Sequence, residues 1–76
     1  MIELVDFLVS QIIPKDSYEI VSFEDGNYCT IKIFGNKIDV AKIIGKFGRV
    51  IRSIRTIIRA ASQHSEKRYE VVIEEK

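Results

Sequence analysis

The residues best placed to do chemistry form one run, Ile43-Ile44-Gly45-Lys46-Phe47-Gly48-Arg49-Val50-Ile51. Two glycines flank a lysine and a phenylalanine, and an arginine follows directly. Glycines let a sugar-phosphate backbone approach a loop without Cβ clashes. A helix that starts after such a turn offers unpaired N–H groups and a partial positive charge, both of which attract phosphate. Lys46 and Arg49 add full charge at the same point. The glycine spacing alone would equally serve an ordinary bend between two helices. Apolar pairs on both sides and the charge around them make the pattern more specific. It is not a nucleotide P-loop, which needs glycine where Val40 stands and Ser or Thr where Phe47 stands.

Charge along the chain points the same way. The net charge of +1 hides an uneven distribution. Residues 1–41 carry three lysines against seven acids, a net −4. Residues 42–59 carry Lys42, Lys46, Arg49, Arg52, Arg55 and Arg59 with no acid, a net +6. Residues 60–76 carry three cations against four acids, a net −1. A basic block of this kind is the footprint of a polyanion partner or, more plainly, a solvated helix face.

Catalytic chemistry is not suggested. His64 is the single histidine and Cys29 the single cysteine. No Ser/His/Asp or Cys/His set is apparent, so His64 lacks an organised partner for base catalysis. Cys29 falls on the inner side of an alternating strand, where a thiol behaves as a small hydrophobe. One cysteine permits no internal disulfide and no four-cysteine zinc site. The acids are scattered, so no metal, cofactor or small-molecule substrate is expected. The uncharged apolar run Phe7 to Ile13 falls far short of the ~20 residues a membrane span needs. Glu3 and Asp6 stand where a signal peptide has a basic start. A cytosolic setting is the expectation.

These residues must be positioned by a small scaffold, because 76 residues leave room for one domain. Residues 2–13 read as a helix, with Val5, Leu8, Val9 and Ile12 at helical spacing and Pro14 as its stop. Tyr18 to Glu24 and Tyr28 to Phe34 read as strands joined through Asp25-Gly26-Asn27, a hairpin signal. Asn36 caps a short helix over Lys37 to Ile44, with Ile38, Ala41 and Ile44 expected inward. Gly45 to Gly48 makes a sharp turn. A longer helix covers Arg49 to His64, with Val50, Ile51, Ile54, Ile57, Ile58 and Ala61 on one face and the arginines nearly opposite. Ser65-Glu66-Lys67 is a loop, and Arg68 to Glu75 a last strand. The expected core is Val5, Leu8, Ile12, Ile31, Ile33, Ile51, Ile54, Ile58, Val71 and Ile73.

The pattern [VI]-I-G-x-x-G-x-x-I, met by Ile43, Ile44, Gly45, Gly48 and Ile51, resembles that of KH domains. The order α-β-β-α-α-β is similar to the type II, prokaryotic arrangement. The likeness covers essentially residues 1–76, as in the stand-alone bacterial KH proteins of the KhpA type. It implies an α+β fold, a three-stranded mixed sheet covered on one face by three helices. It also implies single-stranded RNA binding by a cytoplasmic chaperone-like protein that pairs with a second KH protein, of the KhpB, Jag or EloR type, and influences cell elongation and peptidoglycan growth. In such domains the loop clamps the backbone of about four nucleotides. Carried over, Gly45, Lys46, Phe47 and Gly48 hold phosphates, while Lys42, Arg49 and Arg52 form a rim. Ile43 and Ile44 line the groove or the core beneath it. Arg55 and Arg59 contact RNA or are merely solvated. Phe47 departs from the usual polar residue: it stacks on a base, docks a protein or folds back on the core.

A rival from another class is a protein-interaction adaptor that uses the same scaffold for assembly. In either case Ser53, Ile57, Ala60 and His64 form a flank of small residues around one isoleucine. That flank is expected to meet a second KH chain, the same protein or its partner.

Overall fold

The hairpin closes tightly because Gly26, with φ of 61°, supplies the positive φ that a two-residue turn requires. In the computed structural model, which describes residues Met1–Lys76, β1 (Tyr18–Asp25) pairs antiparallel with β2 (Tyr28–Gly35). β3 (Arg68–Glu75) runs parallel to β2, from Tyr28 opposite Arg68 to Gly35 opposite Glu75. The sheet order is β1-β2-β3, with β2 central. Helices α1 (Ile2–Ser10), α2 (Lys37–Ile44) and α3 (Arg49–Ala61) complete the chain. α2 and α3 form the crossover that a parallel pair demands. This is the mixed sheet and element order of the type II KH fold. No helix is long and apolar enough to cross a membrane.

The core lies between one sheet face and the three helices. Cys29, Ile31 and Ile33 of β2 and Val71 of β3 meet Val5 and Val9 of α1, Ile13, Ile43 of α2, and Ile51, Ile54 and Ile58 of α3. Three expected core residues, Leu8, Ile12 and Ile73, are only partly buried around it. α1 instead presents Val5 and Val9, with Ile13 just beyond, a spacing of four. The unbroken apolar run Phe7-Leu8-Val9 fits either helical face, so periodicity alone did not select one.

α2 is rotated in the same manner. Asn36 does cap it, its side chain accepting the Asp39 N–H at 2.8 Å. Ile43 is its fully buried residue, while Ile38, Ala41 and Ile44 face outward. With apolar residues at 38, 40, 41, 43 and 44, no stripe stands out in the sequence. α1 closes at Ser10, not residue 13, because Gln11 and Ile12 donate to Leu8 and Val9 in tighter three-residue turns before Pro14. α3 likewise closes at Ala61, short of His64, as Ser62 donates to both Ile58 and Arg59. Lys15–Ser17 adds a single 3-10 turn.

One polar clamp fixes α1 against the sheet. The Tyr18 hydroxyl donates to an Asp6 carboxylate oxygen at 2.6 Å, and Lys15 pairs with Asp6 at 3.4 Å. The Tyr18 bond holds the Asp6 carboxyl below the usual range. Burial, aided by the carboxylate, pushes the Tyr18 hydroxyl up to about 12.

Candidate nucleic-acid interface

The loop between α2 and α3 is built on three residues of unusual backbone conformation, Gly45, Phe47 and Gly48. Gly45 closes α2, donating to the Ala41 carbonyl at 2.9 Å, with φ 76° and ψ 174°. Only glycine adopts this region freely. Lys46–Gly48 then makes one 3-10 turn, in which Phe47 (φ 57°, ψ 25°) is left-handed. Gly48 (φ 72°, ψ 17°) is left-handed as well and leads into α3. Having no side chain, Gly48 leaves the first turn of α3 without a side-chain cap. The sharp turn expected from the glycines is therefore present.

The two glycines do different work. A Cβ on Gly45 would lie 2.3 Å from Val50 Cγ2 and 2.8 Å from Val50 Cβ. A Cβ on Gly48 would meet nothing within 4 Å. Gly45 allows α3 to pack, whereas Gly48 faces open space.

Phe47 does not fold back on the core, since it is 74% exposed. Two cations lie over its ring, Lys46 Nζ at 5.5 Å and Arg49 Cζ at 5.8 Å from the centroid. The loop is tied to α3 by Arg52, whose Nη2 donates to the Phe47 carbonyl at 3.4 Å. A non-glycine aromatic in the left-handed region costs about 1–2 kcal/mol.

Lys42, Lys46, Arg49 and Arg52 are exposed around this loop. Ile44 is 38% exposed beside them. Ile43, expected in the groove or beneath it, is fully buried and belongs to the core, so it is not available to touch a ligand. The four ion pairs, Lys15–Asp6, Lys32–Glu74, Lys67–Glu24 and Lys76–Glu19, all lie outside residues 42–59. The six cations of the basic block are left without carboxylate partners. An unpaired block of one sign is a field for a polyanion, as a helix face laced with ion pairs is not.

Sequence reasoning missed Ile38, which stands outward on the exposed side of α2 together with Lys42. It also missed the anchoring of Arg55, whose Nε and Nη2 donate to the Val71 carbonyl at 3.3 and 3.0 Å. Nothing in one sequence signals a contact sixteen residues apart. Ser53, Ile57 and Ala60 share one exposed flank of α3, and His64 follows it in the turn beyond. His64 is exposed beyond the end of α3, and Cys29 is buried in β2.

The family model described as KhpA/KhpB, KH domain, matches residues 2–73. The RNA-binding protein KhpA of Borreliella burgdorferi is 33% identical over 73 residues, covering 95% of this chain and 89% of that one. The RNA-binding protein KhpA of Treponema pallidum is 46% identical over 35 residues, covering 46% of this chain and 44% of that one. On the family match over residues 2–73 and the relative that is 33% identical over 95% of this chain, the chain belongs to the KhpA/KhpB KH-domain family.

Proposed function

We propose that the protein is a single-stranded RNA-binding module, chaperone-like in action, that clamps the RNA backbone with the Gly45-Lys46-Phe47-Gly48 loop. The observation that carries this reading is the convergence of an unpaired basic block on a loop whose second glycine faces open space. Phosphates lie against the Gly48 backbone, Lys46 and Arg49. The exposed Phe47 ring stacks on a base or sugar, a contact worth about 1–3 kcal/mol per base and tolerant of sequence. Ile44 and the rim residues Lys42 and Arg52 border the bases. Ile43 acts only by supporting the helix from beneath. The names carried by the curated relatives support the same ligand class.

The test is titration of a fluorescein-labelled uridine decamer, followed by anisotropy at several salt concentrations. With about two to four phosphates engaged, the slope of log affinity against log salt is about −1.5 to −3, at roughly −0.7 per phosphate. A parent protein that leaves the decamer free at low salt refutes the RNA reading and favours the protein adaptor.

The module works with a second KH chain, a KhpB-type protein or another copy of itself. The flank of Ser53, Ile57, Ala60 and His64 supports this, because small residues beside a 42% exposed isoleucine let another helix approach closely. Association also adds stability to a domain of this size. Ala60→Trp is expected to block the approach and halve the mass seen by light scattering, or to lose a co-purified KhpB-type partner. Unchanged mass and unchanged partner recovery place the interface elsewhere. A cytoplasmic setting and a role in cell elongation and peptidoglycan growth follow from the likeness to the KhpA type.

A further inference from the structure

The largest concavity in the molecule lies at the other end of α3 from the glycine loop. It is a cleft of about 680 Å³ between the last turns of α3, the connection after them and the start of β3. Arg55, Arg59, Lys67 and Arg68 line it, with the rings of Tyr28 and Tyr69 on its walls and Glu70 as its one acid. Lys67 is committed to Glu24 at 2.8 Å. Arg59 and Arg68 have no carboxylate partner. Arg55 is held by its two bonds to the Val71 carbonyl of the edge strand, which fixes its guanidinium without neutralising it.

A stripe of arginines leads from the loop to this cleft. Arg52, Arg55 and Arg59 are spaced by three and four residues and so share one stripe of α3. The stripe begins at Arg52, bound to the Phe47 carbonyl, and ends at Arg59 inside the cleft. From Gly48 to Arg59 the helix rises about 16 Å, at 1.5 Å per residue. A stacked strand advances ~3.4 Å along its axis per nucleotide, so about four to five nucleotide steps separate loop and cleft. The C-terminal end of a helix disfavours anions, and the unpaired Arg59 in that last turn offsets this.

We infer that an RNA strand held at the glycine loop continues along the Arg52–Arg55–Arg59 stripe and places further phosphates in the cleft against Arg59 and Arg68. The footprint is then about eight nucleotides, longer than the ~4 that the loop alone clamps. The inference rests on the RNA-binding reading above, and its test separates the two. Uridine tetramer, hexamer, octamer and decamer are titrated against the parent and against Arg59→Gln/Arg68→Gln, with melting temperature as the check on folding. The parent gains affinity from tetramer to octamer by about tenfold or more, and its salt slope steepens by about 1.4 as two further phosphates are engaged. The variant binds the tetramer as the parent does and loses the octamer gain and the added slope. An octamer bound equally by variant and parent overturns the cleft while leaving the loop reading intact. So does a parent whose affinity levels off at the tetramer. Failure of the parent to bind any length overturns both.

Discussion

Gly48→Asp combined with Lys46→Asp is expected to abolish most RNA binding while the protein stays folded. The fold survives because an added Cβ at Gly48 meets nothing within 4 Å. Aspartate is among the few residues that enter the left-handed region at modest cost, and an acid is welcome at a helix N-terminus. Lys46 is exposed and without an ion pair, so its replacement breaks no structural contact beyond its position over the Phe47 ring. The loss falls on the ligand. A hydrogen bond to a charged group contributes about 1.5–3 kcal/mol, and here one such group is removed and two carboxylates take its place. A weakening of about 100-fold or more follows at low salt. The salt slope becomes shallower by about 0.7 for each phosphate released. Anisotropy titration of the uridine decamer reads both quantities, and circular dichroism reads the fold. A folded double variant that binds as tightly as the parent sinks the clamp and hands the chain to the adaptor reading.

That experiment separates fold from function because the sequence encodes the two at different residues of one motif. The architecture was legible. Asp25-Gly26-Asn27 announces a hairpin, Asn36 announces a helix start, and the alternation of Tyr69, Val71 and Ile73 announces a strand. All three lie where the sequence places them. The link from Phe34 to Arg68 is long enough for a crossover, and β3 indeed runs parallel to β2. The rotation of α1 and α2 was not legible. Both helices carry apolar residues around more than one face, and which residue enters the core depends on the sheet beneath. That is why Val9 and Ile43 are buried where Leu8 and Ile38 were expected.

The site was legible in its charge and glycines and illegible in its geometry. The basic block is visible in the sequence, yet its freedom from ion pairs depends on where the eleven acids outside it fold. Glu24 and Glu19 reach Lys67 and Lys76, outside the block. Phe47 shows the same limit. Its identity departs from the usual loop residue, but only its left-handed backbone and its exposure decide among its three readings, removing the core. A strained backbone at an exposed aromatic is a common mark of a binding site.

The two glycines of the motif look equivalent in sequence, and their substitutions are expected to diverge sharply. Gly45→Ala faces two costs. Its φ of 76° with ψ of 174° is a region that non-glycine residues avoid, at about 1–3 kcal/mol. Its new Cβ overlaps Val50, with Cγ2 at 2.3 Å and the backbone N at 3.0 Å, so the first turn of α3 must move. Overpacking of this kind adds about 1–3 kcal/mol. The sum, about 2–6 kcal/mol, is a large part of the ~4–11 kcal/mol that a domain of this size holds. At about 4–8 °C per kcal/mol the melting temperature falls by about 10 °C or more. Gly48→Ala carries only the left-handed penalty of about 1–2 kcal/mol and no overlap. Its melting temperature drops less, while its RNA affinity drops more than its stability loss explains. Adding Val50→Ala to Gly45→Ala removes the Cγ2 overlap but keeps the backbone strain and the Cβ contact at 2.8 Å. Partial recovery is therefore expected in the double-mutant cycle. Equal melting temperatures for Gly45→Ala and Gly48→Ala, with no coupling to Val50, would show that the first glycine is not what lets α3 close against α2.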